Sequence, residues 1–307
     1  MEKKYDVLII GGGPGGYSAA LYCARAGLST LVLEMLSAGG QMATTPQVDN
    51  YPGFDDGIDG FELGEKMLAG AERFGAETRF AEVTKLEWKG AEKIAHTSDG
   101  DFSARTVILA MGAGPKKLGL AEEELLTGRG VAYCAACDGM QYKGKTVAVA
   151  GGGNSAVADA LTLSKLCKKV YLVHRRDMLR ADKVYLDAIS AAGNIEIVWN
   201  ARIDAFLHHE KFEGLSITDT VTKKTYSLAC DGVFVAVGRT PNTWLVRGAL
   251  EMDEQGYIAA DETTCTSVGG VFAVGDIRAK PLRQIVTAVA DGAVASKFVQ
   301  EYLLKGV

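Results

Sequence analysis

Cys134 and Cys137 stand three positions apart in Tyr133-Cys134-Ala135-Ala136-Cys137-Asp138-Gly139. Residues at i and i+3 are neighbours on a helical turn, so two thiols at this spacing can close a small ring. Such thiols often have lowered pKa values and exchange with external disulfides. Asp138, directly behind the second thiol, can pass a proton to or from a thiolate. The competing chemistry is half of a zinc site, which needs four ligands. No second C-x-x-C or C-x-x-H is present, and His96, His174, His208 and His209 are scattered, so no metal is expected. The stretch reads as a redox dithiol.

Two glycine-rich loops flank it. Asp6 to Ile10 is a continuous apolar run of the kind found in strands buried on both faces. Gly11, Gly13 and Gly16 follow as G-x-G-x-x-G with Pro14 inside, then a helix expected from about Tyr17 to Ala26 and a strand from Leu28 to Glu34. In this fingerprint the glycines permit the tight turn, the approach of a pyrophosphate and the packing of helix on strand. The helix N-terminus offers free N–H groups to the phosphates. Glu34 ends the second strand where an acid bonds a ribose 2′-hydroxyl. The pattern restarts at Lys145 with Gly151, Gly153, Asn154, Ser155 and Ala156, a helix to about Leu166 and a strand over 169–173. Here His174, Arg175 and Arg176, with Arg180 one turn on, replace the acid. Guanidinium groups pair bidentately with a phosphate that a carboxylate would repel. The first loop therefore suits the adenosine of FAD or NAD, and the second suits NADPH.

Two dinucleotides and a dithiol make a relay in the order NADPH, FAD, internal disulfide, external disulfide, with the protein positioning the parts. The totals agree with a two-domain enzyme. The chain has 307 residues, 48% apolar and 23% charged, with 37 glycines. A net charge of -5 argues against a nucleic-acid binder. No run approaches a membrane span, and the N-terminus lacks signal-peptide character. A cytoplasmic protein is expected, with Cys23, Cys167, Cys230 and Cys265 free as small core or loop residues. The strand at Val271 to Val274 and the helix from about Gln284 to Tyr302 have no local partners and should rejoin the first domain.

With these residues assembled, the sequence resembles the low-molecular-weight thioredoxin reductases nearly end to end. The resemblance rests on Gly11 to Gly15, Gly39-Gly40-Gln41, Asn50-Tyr51-Pro52-Gly53, the C-x-x-C-D-G of Cys134 to Gly139, Gly151 to Ala156, His174-Arg175-Arg176 with Arg180, Gly275-Asp276, and Arg283-Gln284. It implies an α/β fold of two Rossmann-like nucleotide-binding domains. A discontinuous FAD domain would span 1–114 and 244–307, and an inserted NADPH domain, 115–243, would carry the dithiol. It further implies a homodimer, thioredoxin or a similar small disulfide protein as partner, and a rotation of one domain against the other. A hinge for that rotation would lie near Gly112-Ala113-Gly114 and 238–242. On matching positions, Cys137 would face the flavin, Cys134 would meet the partner disulfide, and Asp138 would be the acid/base. Asp276 would hold the ribitol region and Gln284 would lie near the ring. Gly40, Gln41, Asn50, Gly112, Gly275 and Arg283 join the fingerprint residues as cofactor contacts. The chain departs from the family at Ala135-Ala136, where Ala-Thr is usual, and at Arg239, where histidine or tyrosine is more common.

Five other readings compete. The larger disulfide reductases would place their cysteines after the first fingerprint, around residues 38–50, where this chain has none. A flavin-dependent ferredoxin–NADP reductase would lack the dithiol. A ferredoxin-fed reductase of this fold would lack the second fingerprint and its arginines, which this chain keeps. A dithiol oxidase shares the C-x-x-C, and a non-enzymatic FAD-binding sensor would hold an idle dithiol.

Overall fold

A computed structural model describes residues 4–306, Pro46 and Asp49 excepted, and the backbone but not the side chain of Cys137. The chain divides into two compact units, Met1–Gly114 with Thr240–Val307, and Pro115–Arg239. The return to the first unit thus falls at Thr240, four residues ahead of the position expected from the sequence.

The first unit begins β1 (Lys4–Ile10), α1 (Pro14–Arg25), β2 (Thr30–Glu34), α2 (Gly60–Glu72) and β3 (Glu77–Phe80). Helix α1 starts three residues earlier than expected because Pro14 occupies its first turn, where the missing N–H costs nothing. Asp59 caps α2, accepting Phe61 N–H at 2.9 Å and Glu62 N–H at 3.0 Å. A meander of β4 (Val83–Lys89), β5 (Glu92–Thr97) and β6 (Gly100–Leu109) follows, then β7 (Ala113–Pro115).

In the second unit come α3 (Glu123–Leu126), β8 (Val131–Ala132), α4 (Ala135–Asp138), β9 (Thr146–Gly151), α5 (Asn154–Ser164), β10 (Lys169–Val173), α6 (Lys183–Ala191) and β11 (Ile195–Val198). The antiparallel strands β12 (Ala201–His208), β13 (Phe212–Asp219) and β14 (Thr225–Ala229) lead into β15 (Gly232–Ala236). The chain then re-enters the first unit through β16 (Arg239–Pro241), which pairs with β7, and adds β17 (Val271–Ala273) and α7 (Ile285–Leu304).

The first sheet runs β3-β2-β1-β6-β5-β4, and β17 pairs with β6. Strand β6 serves two neighbours on one edge. Its first half pairs antiparallel with β5, and its last three residues pair parallel with β17, Val271 opposite Val107. The returning strand is thereby built into the sheet. Alternation along the strands separates two cores. Val7, Ile9, Val32, Ile108 and Phe272 face α1 and α7. Leu8, Ile10, Leu33, Val107 and Val271 face the side packed by Trp88, Phe102, Val246 and Leu250. Helices α1 and α7 touch through glycine, since a Cβ on Gly292 would sit 2.3 Å from Gly15 O.

The second sheet is wholly parallel, β11-β10-β9-β15-β8. Val147 and Val149 of β9 enter the core beneath α5, while Ala148 and Ala150 enter the core against β12 and β13. Both units therefore bury a strand–loop–helix–strand motif whose loop opens at the C-terminal edge of the sheet, where open α/β sheets bind ligands. Among the described residues no helix is long and apolar enough to cross a membrane, and no group of three or more His, Cys, Asp or Glu could hold a metal.

Candidate active site

Strand β8 delivers the chain to Cys134 at the C-terminal edge of the second sheet. Asp138 N–H donates to Cys134 O at 3.0 Å, which closes one helical turn and places positions 134 and 137 on the same side of it. Cys134 is disulfide-bonded, whereas Cys23, Cys167, Cys230 and Cys265 are free. Burial pushes the Cys23 and Cys230 thiols up to about 12, which keeps them inert. The side chain of Cys137 lies outside the described residues. Ala135 is buried in the same core as Ala160 and Leu163, which anchors the turn on α5. The Asp138 carboxyl is held above its ordinary range by burial, the direction that suits a proton carrier.

One residue of this site is not legible in the sequence. Glu123 is only 2% exposed. It accepts Leu118 N–H at 2.8 Å, Gly119 N–H at 2.7 Å, Leu120 N–H at 3.3 Å and the Tyr133 hydroxyl at 2.8 Å. A buried carboxylate satisfied in this way clamps the residue next to Cys134. Only its place in an acidic run, Glu122-Glu123-Glu124, marked it, and such runs normally face solvent.

The second fingerprint lies beside this turn on the same sheet. A Cβ on Gly152 would fall 2.2 Å from His174 Nδ1, so the imidazole packs directly on the loop. His174 is 4% exposed, its Nε2 lies 3.0 Å from Met178 O, and burial lowers its pKa. It supports the loop from beneath, and the exposed basic groups are Arg175, Arg176 and Arg180. Arg180 N–H donates to Gly152 O at 2.7 Å, which brings the last arginine to the fingerprint. Asn154 and Asp182 bond reciprocally at 2.7 and 2.8 Å, fixing the start of α6 to the start of α5. Ser155 is exposed in the same first turn, and Ala156 is buried, where its Cβ would crowd any side chain on Gly151.

In the first unit Gly11 has φ +104°, and a Cβ on Gly16 would lie 2.0 Å from Gly11 O. Only glycine fits either place. Glu34 Oε2 accepts Gly12 N–H at 2.6 Å, and Gly39 N–H donates to Gly12 O at 2.9 Å. Gly40 then rests against Gly13, its would-be Cβ 3.4 Å from Gly13 Cα. The Gln41 amide donates to Ala113 O, and Asn242 Nδ2 donates to Met111 O at 2.8 Å beside Gly112.

The returning segment completes this edge. Gly275 N–H and Lys280 Nζ donate to Asp291 Oδ2 at 2.8 and 2.7 Å, and Arg278 donates to Oδ1 at 2.9 Å. This buried triad fixes the Gly275-Asp276 turn against α7, and Asp276 itself is half-buried. Gln284 caps α7 in a reciprocal capping box with Thr287 and accepts Asn50 Nδ2 at 2.8 Å. The Arg283 guanidinium stacks 3.8 Å from the Tyr257 ring centre, and its buried Nε has no hydrogen-bond partner.

The loops fit dinucleotides by their own geometry. Gly13 and Gly153, the N-caps of α1 and α5, make no side-chain cap, so the first amides of both helices are left for another acceptor. A Cβ on either glycine would meet nothing within 4 Å, so space stands open above both loops. Uncapped helix N-termini facing open space suit a pyrophosphate.

The chain is similar to known proteins over nearly its whole length. A thioredoxin reductase of Listeria monocytogenes is 43% identical over 303 residues, 98% of this chain and 95% of that protein. One of Bacillus subtilis is 43% identical over 304 residues, covering 98% and 96%. The crystal structure of Lactococcus lactis thioredoxin reductase superposes with a TM-score of 0.92 at 38% identity, over 98% of this chain and 99% of that one. Residues 5–292 match the pyridine nucleotide-disulphide oxidoreductase family, and the chain belongs to it.

Proposed function

We propose that this protein is an NADPH-dependent thioredoxin-disulfide reductase using FAD. The observation that carries the reading is the disulfide-bonded Cys134 on a helical turn packed against the helix of a second, arginine-flanked fingerprint. In this reading the first unit holds FAD through Gly11, Gly13, Pro14, Gly16, Glu34, Gly40, Gln41, Asn50, Gly112, Gly275, Asp276, Arg283 and Gln284. The second holds NADPH through Gly153, Asn154, Ser155 and Ala156, with Arg175, Arg176 and Arg180 on the 2′-phosphate and His174 supporting the loop. The two cofactors supply hydride and two-electron transfer.

The chain's own residues do the rest. The uncapped amides of α1 and α5 bind and orient the two pyrophosphates. Cys134 is the thiol that attacks the partner disulfide, and Cys137 the one that displaces the partner and restores the internal bond. Asp138, its carboxyl raised by burial, takes the proton released when the thiolate forms and returns it to the departing thiolate. Thioredoxin, or a small protein of its kind, is the partner. The reading includes a homodimer, carried over from the family, and a cytoplasmic setting, which suits four unpaired cysteines.

An anaerobic NADPH titration followed by flavin absorbance tests it. Uptake of about two NADPH per protomer before full bleaching fills both flavin and disulfide. Bleaching at about one leaves the dithiol outside the circuit and overturns the disulfide reductase reading.

A further inference from the structure

Glu123 and Tyr133 form a bond that the exchange chemistry at Cys134 leaves without a role. The Tyr133 hydroxyl donates to Glu123 Oε1 at 2.8 Å, beside Leu118 N–H at 2.8 Å. Gly119 N–H at 2.7 Å and Leu120 N–H at 3.3 Å reach Oε2. Four donors fill the lone-pair sites of a carboxylate. Glu123 is buried, so these bonds are shielded from water.

Tyr133 is also where the chain is anchored just before Cys134. Strand β8 is two residues long, and its ladder to β15 ends with Ala132 opposite Phe234. The Tyr133 ring packs on the core of β12 and β13 together with Leu118 and Leu120, whose amides the carboxylate holds. Ala132 and Ala135 enter the opposite core, beneath α5. Cys134 is therefore bracketed by neighbours pinned into the cores on either side of one sheet. In the oxidised protein the disulfide fixes Cys134 as well. Once that bond opens, the bracket and the Asp138 N–H, which donates to Cys134 O at 3.0 Å, still hold it.

We propose that Glu123 is a positioning residue for the dithiol: through the Tyr133 hydroxyl it keeps reduced Cys134 where the ring with Cys137 closes, and so biases the couple toward the disulfide. The inference rests on the reading of Cys134 and Cys137 as a redox dithiol. A thiol already confined loses less conformational freedom when the ring forms, and its effective concentration toward the other thiol is higher. The step it governs is closure. The Cys137 thiolate attacks the Cys134 sulfur of the mixed disulfide, and the bond from Cys134 to the partner breaks as the internal S–S bond forms. The departing partner thiolate takes up the proton that Cys137 released. Over the whole exchange two electrons pass from the dithiol to the partner.

The test is the redox equilibrium of the pair in the full-length holoenzyme. The protein is equilibrated anaerobically with a small dithiol and its cyclic disulfide in varying ratio, acid-quenched and alkylated. Peptide mass spectrometry then reads the open and closed forms of the 134–137 segment. Opening the internal disulfide takes two electrons and two protons from the small dithiol, which closes to its own disulfide. Tyr133→Phe removes one hydroxyl and leaves Glu123 its three amide donors. It should lower the equilibrium constant for closure about three- to tenfold, which raises the potential by about 15–30 mV. Glu123→Gln should shift it the same way, and the double variant no further than Glu123→Gln alone, since both changes break one bond. Asn194→Ala removes two hydrogen bonds, to Ser164 O and Cys167 O, at the far end of α5 and should not move it.

An unshifted Tyr133→Phe would overturn the inference and leave the dithiol reading intact. So would additive shifts in the double variant, or an Asn194→Ala shift of equal size, because lost stability would then explain the effect. Where Glu123→Gln does not fold, Tyr133→Phe against Asn194→Ala decides. A wild-type pair that stays closed or open at every ratio would remove the dithiol reading itself, and the inference with it.

Discussion

The Glu34 carboxylate accepts the Gly12 N–H at 2.6 Å, so the acid that ends β2 closes onto the loop that ends β1. Its other oxygen accepts Leu36 N–H at 3.0 Å. Glu34 thus ties the loop after β1 to the turn after β2. Glu34→Ala should raise the FAD dissociation constant about tenfold or more, from a lost charge-assisted bond and a looser loop. Flavin retained after dialysis is the measurement. Undiminished retention would take Glu34 out of the site.

Arg175→Ala combined with Arg176→Ala should lower kcat/KM for NADPH by about a hundredfold and for NADH by no more than about threefold, because only NADPH carries the 2′-phosphate. Steady-state kinetics with both nucleotides decide. Equal losses would mean that these arginines do not read that phosphate.

Cys134→Ser should keep flavin reduction by NADPH at near wild-type rate and abolish turnover with a protein disulfide. Stopped-flow absorbance and a coupled disulfide assay separate the two. Retained turnover would remove Cys134 from the exchange.

Asp291→Asn should destabilise the first unit by about 3–5 kcal/mol, because a buried pair that loses one partner leaves uncompensated charge. Arg278 and Lys280, at 6% and 8% side-chain exposure, share the one carboxylate. Denaturant unfolding of the holoprotein provides the check, and a loss under about 1 kcal/mol would show that water replaces the carboxylate.

Asp159, on α5, makes stability depend on pH. Its carboxyl is raised from 3.8 to about 6 in the fold, so the native state holds a proton that the unfolded chain has released. The stabilisation is complete below the unfolded value and is lost as pH rises through about 6. Denaturation midpoints taken from pH 4 to pH 7 should therefore fall with rising pH more steeply in the wild type than in Asp159→Asn. Parallel slopes would show that the Asp159 carboxyl is not raised in the fold.

The chemistry-bearing motifs were legible because each is local. The dithiol needs only i, i+3 spacing on one turn, and each fingerprint needs a strand, three small residues and a helix start in uninterrupted order. Gly11 and Gly16 declare themselves for the same reason, since the close approach of Gly16 to Gly11 O is made within six residues. The replacement of the acid by Arg175 and Arg176 could be read by comparing the two halves of the chain.

Tertiary structure decided the remainder, where a residue's role depends on what distant elements bring to it. Asn50 meets Gln284 across 234 positions, and Asp291 meets Gly275 only once α7 has docked on α1. Glu123 turns from a surface acid into a buried clamp because β8 brings Tyr133 to it. His174 joins its arginine neighbours in sequence but leaves them in space, because the missing side chain of Gly152 makes room for an imidazole beneath the loop. Spacing along a chain encodes a single turn, whereas the burial and pairing of a polar group are set by which other elements pack against it.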